Sequence, residues 1–404
     1  MERVTSRTGP FSHQSARAVR MRFIAGFGLA FVLLLSQATR AQTYRVVHRF
    51  NGTDGRDPVG TLVRDSKGTV YGVTVAGGLY DQGTVFKFNS TGLTTLYSFS
   101  AGTDGCAPQA GLIRDPAGNL YGTTSDLCFS YSLGTIFKID ANGAYRLLYN
   151  FKGRMHGDGE QPWGKLVRDK QGNLYGTTES GGNTSVCGGY GCGLVFKLDT
   201  HGSETVLHAF NDTDGSSPFG ALILSTQGDL YGTTWRGGRY GFGTIFRISN
   251  SVMTVLHNFA GTPDGANPMG TLILDSAGNL FGATETGGVY GFGTAFKLDA
   301  GGTMTVLYSF TGGADGRTPL GGLVEDSAGN LFGTTVYGGT AGSGNVFELS
   351  PDGVETVLHS FSGKSGGTEP YFEELILDAK GNLYGTTATG GTRSGYGVLF
   401  RLAP

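Results

Sequence analysis

Six Asp-Gly pairs each stand four residues before a proline, at Asp54, Asp104, Asp158, Asp214, Asp264 and Asp315; a seventh copy has Gly366 in that place. Six carboxylates repeated around a ring suggest Ca²⁺, which takes oxygen ligands. The copies are regular, however, and bring no clustered second ligands. Each Asp is therefore expected to fix its own turn by side chain-to-backbone hydrogen bonds, and no metal site is assigned. His48, His208, His257 and His359 look like a second ligand set, but their slot elsewhere holds Tyr97, Tyr149 and Tyr308. A slot shared by Tyr and His wants a flat ring with a polar tip. Lys87, Lys138, Lys197, Arg247, Lys297 and Arg401 share another slot, filled once by Glu348, and are expected on a solvated outer surface.

The unrepeated residues say more. Trp163 and Trp235 are the two tryptophans of the chain, and Arg154, His156, Glu160, Tyr190, Arg236 and Arg239 lie near them in sequence. Aromatics with polar neighbours offer flat apolar area and a hydrogen-bonding rim, which suits a sugar or a peptide. Trp163, Trp235, His156, Arg236, Tyr190 and Glu160 are the candidate ligand-binding residues. Against this, the Trp163 slot elsewhere holds Val59, Phe219, Met269 and Leu320, which points to packing. No Gly-x-Ser-x-Gly in a strand-turn-helix context, no phosphate loop and no catalytic carboxylate pair is found, so no catalytic residue and no cofactor is assigned. Propellers do host enzymes built from several loops, and a hydrolase or lyase near Glu160, His156 and Arg236 is the second reading.

These residues must be positioned by a repeat. An aromatic-Gly pair recurs at Tyr71, Tyr121, Tyr175, Tyr231, Phe281, Phe332 and Tyr384, with gaps of 50, 54, 56, 50, 51 and 52 residues. A period near 50 means one supersecondary unit repeated. Residues 270–310 show its parts: short β-rich runs at 271–275 (A), 280–284 (B), 294–298 (C) and 304–310 (D), divided by Gly-rich turns. Four short antiparallel strands per repeat make a propeller blade. Strand C carries Phe in all seven copies, and strand D ends in Phe in all seven. The last copy stops after strand C, while 44–50 reads as a strand D. The expected fold is thus all-β: a single seven-bladed β-propeller over 43–404, closed by the amino-terminal strand, which removes open sheet edges. The D–A and B–C loops then share one variable face, where a site is expected.

Gly is 72 of 404 residues, charged residues are 15% and the net charge is -2. Nothing here favours nucleic acid or an anionic membrane. Arg17, Arg20 and Arg22, an apolar run from Phe23 to Leu35, and small residues at Thr39 and Ala41 predict a signal peptide over 1–41, with Met21 an alternative start. Four cysteines fit an oxidising compartment. Loop placement predicts the bridges Cys106–Cys128 and Cys187–Cys192.

The words Gly118-Asn119-Leu120-Tyr121-Gly122-Thr123-Thr124, Gly83-Thr84-Val85-Phe86-Lys87 and Val357-Leu358-His359-Ser360-Phe361 resemble the GloVer tandem repeat of bacterial exported proteins with a "choice of anchor". The resemblance covers residues 44–402. It implies export and repeats, not an activity. Members often carry a carboxy-terminal sorting tail, which is not seen before Pro404. The expected protein is an exported, secreted or periplasmic or cell-surface, bacterial monomer that binds a glycan or a protein.

Overall fold

The computed structural model describes residues 42–125, 133–363, 365–371 and 374–403. The predicted signal peptide and Cys128 lie outside them. The described chain forms seven four-stranded antiparallel sheets, arranged as a seven-bladed β-propeller. In blade 5, strands B (Leu280–Thr284), C (Thr294–Leu298) and D (Met304–Ser309) lie where the sequence put them. Strand A is shorter than expected, Ile273–Leu274, because two pairs alone hold it to strand B: Ile273 with Phe281 and Leu274 with Leu280.

The A–B turns explain the repeated words. In blade 2 the Asp115 carboxylate accepts from the Asn119 backbone N–H at 2.9 Å, its side-chain amide at 2.7 Å and the Tyr121 hydroxyl at 3.0 Å. One side chain thereby closes the turn and ties it to strand B. Those bonds favour the charged carboxyl and hold it below its usual range against the opposing effect of burial.

The ring closes through the amino terminus. Thr43–Arg49 is the outermost strand of blade 7, paired antiparallel to Val398–Ala403 from Thr43 opposite Ala403 to Arg49 opposite Val398. It reproduces the bulge of a true strand D. Blade 1 steps from Val85–Tyr97 to Phe86–Thr95; the closing strand steps from Val46–Phe400 to His48–Leu399.

What joins the blades is aromatic. The Phe that ends each strand D meets the strand C Phe of the next blade. The pairs are Phe50–Phe86, Phe99–Phe137, Phe151–Phe196, Phe210–Phe246, Phe259–Phe296, Phe310–Phe347 and Phe361–Phe400. Centroids lie 5.1 to 5.4 Å apart and the rings are tilted by 63° to 72°, an edge-to-face geometry. All fourteen rings are buried. Burying one Phe contributes about 1.5–3 kcal/mol, and an edge-to-face pair adds about 0.5–1.5 kcal/mol.

The aromatic-Gly words follow from these rings. A Cβ on Gly232 would stand 2.7 Å from Phe246 Cζ and 3.0 Å from a Leu222 methyl. Strand B needs a bare Cα there so that the strand C ring can lie across it. Gly232→Ala is therefore expected to lower stability by about 1–3 kcal/mol, as overpacked cores do. Gly313→Ala, on an exposed turn whose nearest neighbour is 3.4 Å from a new Cβ, should stay within about 0.5 kcal/mol. Urea unfolding checks this; equal effects from the two substitutions would contradict the packing described.

Candidate functional site

The Asp slot and the Tyr/His slot prove to be one pair. His48, His208 and His257 place Nε2 at 2.9, 2.9 and 2.8 Å from Asp54, Asp214 and Asp264. The Tyr97, Tyr149 and Tyr308 hydroxyls donate to Asp104, Asp158 and Asp315 at 3.0, 2.9 and 3.1 Å. Each carboxylate also accepts a backbone N–H at the start of its loop, such as Lys152 at 2.7 Å and Ala260 at 3.1 Å. The Asp ring is thus spent on turns and neighbouring strands. Among the described residues no group of three or more His, Cys, Asp or Glu is arranged to hold a metal ion.

The strand C cations are not freely solvated, as the sequence suggested. They are half-buried beside the strand B rings: Lys138 lies 5.7 Å from the Tyr121 centroid, Lys197 6.0 Å from Tyr175 and Lys297 5.6 Å from Phe281. Cross-strand pairing dictates this, since Tyr121 stands opposite Lys138 and Phe281 opposite Lys297.

The variable face holds the remaining chemistry. D–A and B–C loops of one blade touch through backbone bridges, such as Ser216 with Arg236 and Arg317 with Tyr337. Inside the ring, the segments that lead into strands A line a channel at Gly164, Gly220, Gly270 and Gly321, joined by Gly60 of the longer first strand A. Lys165 of blade 3 crosses to Glu374 of blade 7, Nζ to Oε2 at 2.9 Å, and the Thr61 hydroxyl donates to the same oxygen at 2.9 Å. The cavity left is ≈ 50 Å³. That admits water but not a sugar ring.

Beside the ion pair, Gln109, Trp163, Phe219, Met269 and Leu320, one from each of blades 2 to 6, line the mouth. Trp163, Phe219 and Trp235 form an edge-to-face row, with centroids 5.6 and 5.5 Å apart. The sequence placed both tryptophans on this face, and the structure joins them through Phe219. The Trp235 Nε1–H donates to Glu285 at 2.8 Å. Burial pushes the Glu179 carboxyl up, opposed by the Trp163 indole beside it and by the Arg236 charge. The Arg236 guanidinium lies 3.8 Å from the Trp235 ring centroid. The Trp235 indole is thus fixed by a carboxylate.

The other candidates form a second group in the loops of blade 3. Arg154 donates to Glu160 twice, by its backbone N–H at 2.8 Å and by Nη1 at 2.9 Å, and its guanidinium lies 4.6 Å from the Tyr190 centroid. His156 turns Nδ1 to the Lys152 carbonyl at 2.9 Å. Glu160 is buried with both oxygens engaged, while Arg236 sits over Trp235. The structure does not assemble Glu160, His156 and Arg236 as a catalytic set. The expected bridge Cys187–Cys192 is present, with Cα atoms 5.4 Å apart, and orders the loop that carries Tyr190. Cys106 is buried in its D–A loop; its expected partner lies outside the described residues.

The Gloeobacter/Verrucomicrobia repeat model matches residues 28–223 and 183–400. The chain belongs to this repeat family. No curated protein matches it. Among solved structures, this repeat-family chain is similar to the extracellular domain of BT4673 from B. thetaiotaomicron, at 10% identity and a TM-score of 0.57, over 89% of this chain and 40% of that one. It is also similar to PorZ, a surface component of the type-IX secretion system of Porphyromonas gingivalis, at 16% identity and a TM-score of 0.51, over 88% of this chain and 47% of that one. The chain therefore spans less than half of either. At these identities the likeness shows the fold alone.

Glu179, Glu285, Lys165 and Glu374 were not singled out from the sequence. Two of them had a signal. The position after strand B reads Val75, Ser125, Glu179, Trp235, Glu285, Val336 and Ala388, so its large and charged members fall in three consecutive blades of this repeat-family ring.

The seams between blades also carry buried carboxyls. At the first position of strand D, Tyr145 donates to the Asp104 carbonyl at 3.1 Å, and Tyr44 donates to the Gly366 carbonyl at 2.5 Å. Blades 3 and 6 place Glu204 and Glu355 there. Burial first, then the charges of Asp158 and Asp315 respectively, raises both to about 7, with Lys152 opposing at Glu204. A carboxyl whose folded pKa is raised from 4.5 stabilises most below pH 4.5 and loses that contribution as pH rises through 7. His359 runs the other way: lacking an Asp at Gly366, its Nε2 is buried without a partner among the described residues, and burial lowers it to about 4. The joint Glu204→Gln, Glu355→Gln variant keeps His359 and isolates the carboxyls. Its melting temperature is expected to gain on the parent's as pH rises from 5 to 8. A constant difference would contradict the assignment.

Proposed function

We propose that the chain is an exported binding module whose ligand, a glycan chain, lies across the channel mouth on the Trp163–Phe219–Trp235 row. One observation carries this: the two indoles and Phe219 lock edge to face in one row, with the Trp235 N–H already used by Glu285, so the rings are held as faces. A fixed aromatic face takes the apolar C–H side of a sugar at little entropic cost. The Lys165–Glu374 pair beneath keeps the ligand at the surface. The arginine-flanked apolar run ahead of Ala41, the Cys187–Cys192 bridge and the likeness to an extracellular domain and to a secretion-system surface component support export.

Because both tryptophans of the chain stand in this row, intrinsic fluorescence reports the site alone. Titration with a panel of oligosaccharides is expected to give a saturable change. Trp163→Ala should weaken binding about ten-fold or more, as loss of a buried aromatic anchor does. A signal from unrelated peptides and from no oligosaccharide would overturn the glycan reading.

A further inference from the structure

Five arginines of the variable face fall into two sets. Arg56 is spent on acids, with Asp81 and Asp57 each at 3.1 Å, and Arg154 on Glu160 at 2.9 Å. Arg236, Arg239 and Arg317, in blades 4 and 6, are exposed and make no ion pair within 4.0 Å among the described residues. Each instead lies against a ring: Arg236 on Trp235 at 3.8 Å, Arg239 on Tyr240 at 5.3 Å and Arg317 on Tyr337 at 5.5 Å.

The repeat supplies an internal comparison. Arg56 and Arg317 occupy the same slot, two residues after the loop Asp. The acid that holds Arg56 is Asp81, three residues past the second glycine of the B–C loop. In blade 6 that position is Gly342, so the cation is present there and its acid is not. In blade 4 the two positions are Ser216 and Gly241, and the cation, Arg236, comes from the B–C loop instead. A guanidinium stacked by its face keeps its N–H edge for a planar acceptor. The nearby Glu285 carboxyl is already engaged by the Trp235 indole, and the Arg236 charge reaches Glu179 without a salt bridge among the described residues.

We propose that the glycan is acidic, a chain bearing carboxylates, with one uronate held by the guanidinium edge of Arg236 beside the tryptophan row and a further one by Arg317 on the rim. This rests on the glycan reading of the same mouth. Arg–carboxylate pairs are charge-assisted and often bidentate, which selects a carboxylate over its ester.

The test uses the full chain, tryptophan fluorescence and two probes of one backbone: oligogalacturonate and its methyl ester. The acid form should bind at least about ten-fold more tightly, since a hydrogen bond to a charged group contributes about 1.5–3 kcal/mol. That advantage should shrink from about 0.1 M to about 1 M salt, where the screening length falls from about 10 Å to about 3 Å. Arg236→Gln and Arg317→Gln should each weaken the acid form several-fold more than the ester, while Arg56→Gln changes neither. Equal binding of acid and ester, or unchanged binding in both Gln variants, overturns the proposal. Binding of neutral oligosaccharides but not of the acid form overturns it while leaving the glycan reading standing. Binding of no oligosaccharide removes both.

Discussion

Seven phenylalanine pairs, one at each boundary between blades, hold this ring together. Neither ring of a pair can be buried by its own blade. The strand D ring has sheet on one side only, and the strand C ring covers a glycine that leaves room for nothing else. Each blade therefore needs both neighbours, and the order is finished only when Phe50 reaches Phe86. Stability in such an array is a sum of units and interfaces, and closing the ring adds one more interface without adding a blade.

The same dependence explains which parts of the fold were legible. Words that serve the seam recur at fixed offsets: the strand C Phe, the glycine beneath it, and the Asp of the A–B turn with its Asn and Tyr. Their spacing revealed the period, the four strands and the closing strand. The pairing of loop Asp with strand D Tyr or His was less visible, because each slot reads plausibly by itself. What joins them is the bend from strand D into its loop, which brings residues six or seven apart into contact, as at Tyr97 and Asp104. The exception at Gly366 was visible as a substitution, but its consequence for His359 was not.

The candidate site was legible only in part, and for a physical reason. Contacts across the channel join blades far apart in sequence. Lys165 and Glu374 are separated by 209 positions, and no local pattern links them. Trp163 and Trp235 stood out by being unrepeated, yet the carboxyls beside them, Glu179 and Glu285, stand in a slot with no uniform type. The seven-fold scaffold is regular where it packs and irregular where the loops meet the mouth. There, blades 3 to 6 depart together from the small residues of blade 1: two tryptophans, two carboxyls beside them, and arginines stacked on rings. A rigid ring with one altered arc is a means of presenting a site without disturbing the seams.

The closing seam is equivalent to the six within the chain. A double-mutant cycle on Phe50→Leu and Phe86→Leu, run beside one on Phe210→Leu and Phe246→Leu, measures this. Coupling of about 0.5–1.5 kcal/mol is expected in both cycles, equal within a few tenths, because both pairs are buried edge-to-face contacts. Coupling at Phe210–Phe246 with none at Phe50–Phe86 would contradict it, and would mean that the amino-terminal strand does not close the ring.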